Sequence, residues 1–116
     1  MPREYKLYIE DTIESIKKIE DYTKNITHDK FVKNNLIIDG VVRNLEIIGE
    51  AVKEIPTGTR ERYNSINWKK ITGLRDMISH RYFGIDVEII WDIVKNKIPE
   101  LKSCITEISN TLNAKK

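Results

Sequence analysis

Helix breakers and thiols are what this sequence has least of. Of its 116 residues, three are proline, five are glycine and one is cysteine. The lone Cys104 excludes an internal disulfide framework and suits a reducing compartment, so the expected location is the cytoplasm. Scarce breakers among long-chain charged residues favour helices, although twenty isoleucines leave strands open until periodicity is read. Metal ligands are equally thin. Cys104, His28 and His80 are the soft or imidazole donors, and with no CxxC, HxxxH or HxH spacing no metal site is expected. Neither a P-loop nor a GxGxxG turn occurs, so no cofactor is expected, and the absence of GxSxG removes a serine elbow. No uncharged run approaches the roughly 18 residues of a membrane span. Arg3, Glu4, Lys6 and Glu10 interrupt any apolar signal core behind Met1.

What is present suits one folded domain, expected over residues 1–112 with 113–116 as a frayed tail. Charged residues make up 33% and hydrophobic ones 40%, the balance of a globular rather than a disordered chain. From Arg3 to about Lys24, Tyr5, Tyr8, Ile9, Ile13, Ile16, Ile19 and Tyr22 recur by threes and fours, which predicts a helix with a polar back that includes Asp11. Asn25 to His28 reads as a loop. Asp29 then offers an N-cap for one long helix to about Glu54, with Phe31, Leu36, Ile38, Leu45 and Ile48 on its apolar arc. Pro56 stops it, and residues 56–67 form a connector with a helical turn near Arg60–Tyr63. Asn67 caps a third helix from Trp68 to about His80 or Tyr82, and Asp86 caps a fourth from Val87 to about Lys97. Pro99 marks a kink or a new first turn before Leu101, Ile105, Ile108 and Leu112. The expectation is an all-α antiparallel bundle of four to five helices.

Charge is uneven along this frame. Residues 1–27 and 28–55 each sum to −1, residues 56–84 to +4 and the remainder to zero. Arg60, Arg62, Lys69, Lys70, Arg75 and Arg81 supply the excess, either as a solvated face or as a surface for a phosphate-bearing partner such as RNA. On an ideal wheel Arg75 and Tyr82 fall within the apolar arc of the third helix, and His80 lies roughly 140° from Arg75. Asp76 stands four residues before His80, where it can fix the imidazole tautomer. Gly73, on the same face, would let another backbone or a ligand approach. Arginine and histidine together suit metal-free transesterification of RNA by its own 2′-hydroxyl. That reaction needs a base and an acid on opposite sides of the phosphate. One chain offers only His80 unless distant His28 folds in, whereas a two-fold dimer would supply a second His80 and Arg75 across a composite cleft.

The run Arg75-x4-His80-x-Tyr82 resembles the RX4HXY motif of the HepT family of HEPN-domain ribonuclease toxins. The block from Trp68 to Asp86 is similar to that family's central block, and Arg43-Asn44-Leu45-Glu46-Ile47-Ile48-Gly49-Glu50-Ala51 to its second-helix block. The resemblance implies an all-α HEPN fold, a homodimer with facing motifs, and metal-independent endoribonuclease activity. It makes Arg75 and His80 catalytic; beside them Asp76 and Ser79 are expected in support, and the basic segment places Arg60, Arg62, Lys69, Lys70 and Arg81 as the expected RNA contacts. Relatives often have Asn where this chain has Asp76, and a carboxylate there would weaken phosphate binding or raise the proton affinity of His80. The resemblance also implies a partner, an MntA-type nucleotidyltransferase antitoxin that transfers AMP to Tyr82, with a larger hetero-oligomer as a compatible assembly. Added charge and bulk beside an RNA cleft would repel substrate.

Other residues carry weaker signals. Asp39, Arg43, Glu46 and Glu50 form one polar stripe, either a salt-bridge ladder or carboxylates flanking the cleft. Trp68, Trp91, Phe83 and Cys104 read as core, Tyr63 as packing or a base-stacking platform, and His28 as solvent-exposed. The competing functional reading is a non-catalytic helical adaptor for a nucleotidyltransferase.

Overall fold

In the computed structural model, residues 4–74, 76 and 86–114 are described, and every regular element among them is helical. The first helix, α1 (Tyr5–Thr23), follows its apolar spacing: Ile9, Ile16 and Ile19 are buried, with Tyr5 and Ile13 packed at their edge. Thr12 and Thr23 share the buried face because their hydroxyls donate to the Tyr8 and Ile19 carbonyls at 2.8 and 2.7 Å. Bonding four residues back satisfies a polar group that has left water. The chain turns at Asn25, whose φ of 57° is left-handed, a region asparagine tolerates better than most residues.

The expected single helix from Asp29 to Glu54 is two helices. The short α2 (His28–Val32) is capped by Thr27 and not by Asp29, the threonine hydroxyl accepting from the Lys30 N–H at 3.3 Å. After Lys33 the chain leaves the helical path, and the Asn34 side chain accepts from the Ile37 N–H at 3.0 Å to start α3 (Asn35–Val52). Two adjacent asparagines explain the break, since a short amide side chain offers the backbone a cap in place of continuation. The break also corrects the apolar arc: Leu36 is 83% exposed, whereas Phe31 and Leu45 are fully buried.

Helix α3 runs antiparallel to α1, with the ring of Tyr22 over Gly40. A Cβ at that glycine would lie 3.0 Å from the ring, so the close approach uses the missing side chain. Asn44 is buried on α3 and donates to the Gly40 carbonyl at 2.9 Å. Beyond Pro56 come α4 (Thr57–Arg62) and α5 (Trp68–Thr72). As its position predicts, Asn67 caps α5, accepting from the Lys70 N–H at 3.1 Å. Asp86 likewise caps α6 (Val87–Asp92), accepting from Glu88 and Ile89.

The rod does not end at Lys97. It passes through a π turn, Ile93–Lys97, into α7 (Ile98–Ala114), two residues beyond the expected limit at 112. Of the two roles open to Pro99, the structure takes the first-turn one. Proline lacks an N–H and its ring crowds the carbonyl four residues back. The wider turn before it, in which the Ile98 N–H donates to the Ile93 carbonyl, makes room. Helix α7 lies antiparallel to α1, tied by Lys102 to Glu20 at 2.8 Å. Cys104 is core, and burial followed by the charge of Glu107 pushes its thiol up to about 11, so it stays protonated at neutral pH. Among the described residues no helix is long and apolar enough to cross a membrane.

The break at Asn34 separates two leucines by environment. Leu45→Ala should cost about 3 kcal/mol and Leu36→Ala less than about 0.5 kcal/mol in urea denaturation. Comparable losses would contradict the two-helix arrangement.

Candidate functional site

The basic segment is organised around one indole. Trp68, buried at the start of α5, donates its N–H to the carbonyls of Arg60 and Tyr63 at 3.0 and 3.1 Å. Those carbonyls sit at the C-terminal end of α4, where each also accepts a backbone N–H, from Tyr63 and Ile66 at 3.2 and 3.3 Å, the indole taking a further acceptor site on each oxygen. The bond therefore bolts α4 to α5 and leaves Arg62, Lys69 and Lys70 exposed on the outside, with Arg60 half-buried. Tyr63 is half-buried against the core, as the packing reading predicts.

Between α5 and the α6–α7 rod lies a cavity of roughly 560 Å³. Its floor is aliphatic, with Ile71, Leu74 and Ile93, and Lys70, Lys97 and Asp92 stand at the rim. Gly73 lines it too, but the atoms a Cβ would meet there are the Lys69 and Lys70 carbonyls of its own turn, at 3.2 and 3.7 Å. The close approach expected at Gly73 is thus to the preceding turn.

A second depression, of roughly 400 Å³, opens between α1 and α3. It brings Arg43, Glu46 and Glu50 of the α3 stripe together with Tyr8 and Asp11 of α1, and leaves out Asp39. Glu50 also meets Lys53, outside the expected stripe, at 3.4 Å. Asp11 was counted on the solvated back of the first helix; only the packing of α1 on α3 brings it to Glu46. Among the described residues no cluster of three His, Cys, Asp or Glu side chains could hold a metal ion.

Arg75, Ser79, His80, Arg81 and Tyr82, together with Phe83, lie outside the described residues. What is described is how the chain reaches and leaves them. Leu74 is buried, Asp76 is helical and exposed, and Asp86 caps α6 directly after residue 85.

His28 differs from expectation. It is half-buried, and its Nε2 lies 2.8 Å from both carboxylate oxygens of Glu88. Its ring meets Trp91 edge-on at 5.4 Å. Trp91 leans on buried Phe31 at 5.1 Å, and Lys95 lies 4.7 Å from the indole centroid, within cation–π range. Trp91 is partly rather than fully buried, bordered by His28 and Lys95 instead of by core side chains alone.

Comparison with known proteins gives a consistent result. Residues 12–108 match the family model described as "Ribonuclease HepT-like". A Thermococcus cleftensis protein named "Probable ribonuclease HepT" is 41% identical over 88% of this chain and 93% of its own. The Methanocaldococcus jannaschii protein "Putative RNase MJ1216" is 40% identical over 97% of this chain and 93% of its own. A longer protein of that organism, "Gamma-glutamylcyclotransferase and putative RNase MJ0434", is 42% identical over the whole of this chain, which spans 52% of its length. No solved structure matches.

The indole bolt can be tested alone. Trp68→Phe keeps the ring and removes the donor, and should lower stability by about 1 to 2 kcal/mol in denaturant titration; an unchanged midpoint would mean the bond contributes nothing.

Proposed function

The chain belongs to the HepT-like ribonuclease family, and on that premise we propose that it is a toxin endoribonuclease whose own Arg75 and His80 perform the cleavage. The observation that carries this reading is the intact Arg75-x4-His80-x-Tyr82 run inside the matched region. It follows directly in the chain on the basic surface of Arg60, Arg62, Lys69 and Lys70, which together with Arg81 would hold the phosphate backbone. Asp76 and Ser79 would support the pair, and Glu46 and Glu50 would flank the cleft.

In the reaction, an imidazole takes the proton of the substrate 2′-hydroxyl, and the 2′-oxygen forms a bond to the adjacent phosphorus. The P–O5′ bond breaks, and an imidazolium protonates the departing 5′-oxygen. The products are a 2′,3′-cyclic phosphate and a 5′-hydroxyl, and no metal enters the balance. Arg75 offsets the charge that builds on the non-bridging oxygens. Base and acid must stand on opposite sides of the phosphate. His28 is already bonded to Glu88, which supports the second imidazole being His80 of another copy in a homodimer with a composite cleft. Tyr82 is the proposed acceptor of AMP from a nucleotidyltransferase antitoxin, the modification placing negative charge where RNA must bind. Chain, RNA and antitoxin would then meet in the cytoplasm, in a dimer or a larger hetero-oligomer.

Purified protein should cleave RNA to cyclic-phosphate ends in the presence of EDTA, and His80→Ala and Arg75→Ala should each lose at least about 100-fold in rate. A clean wild type with no cleavage would favour the adaptor reading. Replacing Lys69 and Lys70 together by alanine should reduce the slope of log binding constant against log salt by about 1.4 for single-stranded RNA. Co-expression with a neighbouring nucleotidyltransferase should raise the intact mass by multiples of AMP. A gain that persists in Tyr82→Phe would rule that tyrosine out.

A further inference from the structure

We propose that His28 and Glu88 are a positioning pair that fixes the C-terminal end of the cleavage segment, an inference that rests on the roles of Arg75 and His80 given above. Residues 75–85, of which Asp76 is described, lie in the sequence between Leu74 and Asp86. The first, Leu74, is buried in the core. The second is the start of α6, the first turns of the rod that continues through the π turn into α7, where helix ends fray unless they are capped or fastened.

Two kinds of contact support it. Ile90 is buried and Trp91 leans on Phe31, but apolar contacts of this sort are non-directional and do not by themselves hold the first turn in one orientation. The contact with a required direction is the one from His28, whose Nε2 lies 2.8 Å from both Oε1 and Oε2 of Glu88. Glu88 is also the residue whose main-chain N–H donates to the Asp86 carboxylate at 3.0 Å. A single residue thus joins the cap that begins α6 to the side chain that sets its rotation.

The other end of the pair is firmly seated. Helix α2 is anchored by fully buried Phe31 and capped by Thr27. The groups facing the imidazole are Glu88 from α6, Trp91 with Lys95 beyond it, and Asp29, whose Oδ1 is 3.9 Å from Nδ1. Neutral imidazole protonated on Nε2 and imidazolium can both donate to Glu88, so the pair needs a donor at this position and not a charge. Side-chain exposures of 42% and 65% make its contribution modest, which suits orientation better than bulk stability. His28 acts through α6 and has no contact with substrate in this proposal.

The test compares full-length wild type, His28→Ala, Glu88→Ala and His28→Gln, whose amide keeps a donor without titrating. Amide hydrogen exchange of residues 86–92 should be faster by about three- to ten-fold in both alanine variants, with α1 unchanged and His28→Gln close to wild type. In RNA cleavage, kcat should fall by about three- to ten-fold in the alanine variants with KM little altered. His28→Gln should restore both the rate and the wild-type pH profile. Unchanged exchange in the alanine variants overturns the pair. Faster exchange with unaltered kcat overturns its positioning role, and equal impairment of His28→Ala and His28→Gln overturns the assignment to the donor. If wild type cleaves no RNA, the ribonuclease reading and the kinetic role fall together, while exchange still decides whether the pair fixes the start of α6.

Discussion

The burial of α3 on several sides at once is the constraint on which the rest depends. It packs along α1, receives α2 at its start and takes α5 against its flank, so only a narrow strip of it meets solvent. A helix enclosed in this way can offer little chemistry of its own. Arg43, Glu46 and Glu50 occupy that strip, and even there they share a groove with α1. The exposed basic side chains Arg62, Lys69 and Lys70 stand instead on the short peripheral helices. Directed bonds fasten this periphery: α4 to α5 by the Trp68 indole, and the start of the α6–α7 rod to α2 by His28.

This division also explains what could be read in advance. Asn67 and Asp86 were legible as caps because a cap is a bond between a side chain and backbone two or three residues away. The helix of residues 5–23 was legible because its threes and fours are unambiguous. The second helix was misread where two local rules competed. Its period runs on past Asn34, while the paired asparagines favour a stop, and only the tertiary seating of Phe31 and Ile38 decides between them. Leu36 followed the period and lost its place in the core when the chain restarted. The His28–Glu88 bond and the groove shared by Asp11 and Glu46 join distant parts of the chain, and no spacing rule reaches them. For Arg75 and His80 the proposed chemistry rests on residue types and their separation, which are written in the sequence.

Pro99 shows a middle case, in which the sequence narrows the outcome to two and packing selects one. A simple kink would have turned the last helix away from α1. The π turn instead adds a residue to one turn and lets the rod continue, so that Ile90 ahead of it and Leu101 and Ile105 beyond it are all buried. The adjustment keeps Trp91 against Phe31 at one end and Lys102 on Glu20 further along. One wide turn therefore lets a single rod serve two neighbours, α2 and α1.

The scarcity of histidine then bears directly on mechanism. Cleavage by an internal 2′-hydroxyl needs proton acceptance and donation on opposite sides of one phosphorus, and this chain has two imidazoles. The structure commits one of them to Glu88, with its second nitrogen toward Asp29. Under the proposed reaction His80 must then be used twice, by two copies of the chain. Cys104 cannot stand in, because its thiol is buried and held protonated. On that proposal, a fold this small, with its central helix enclosed and one of its two histidines bonded to Glu88, would complete its set of proton-transfer groups by sharing a cleft between subunits.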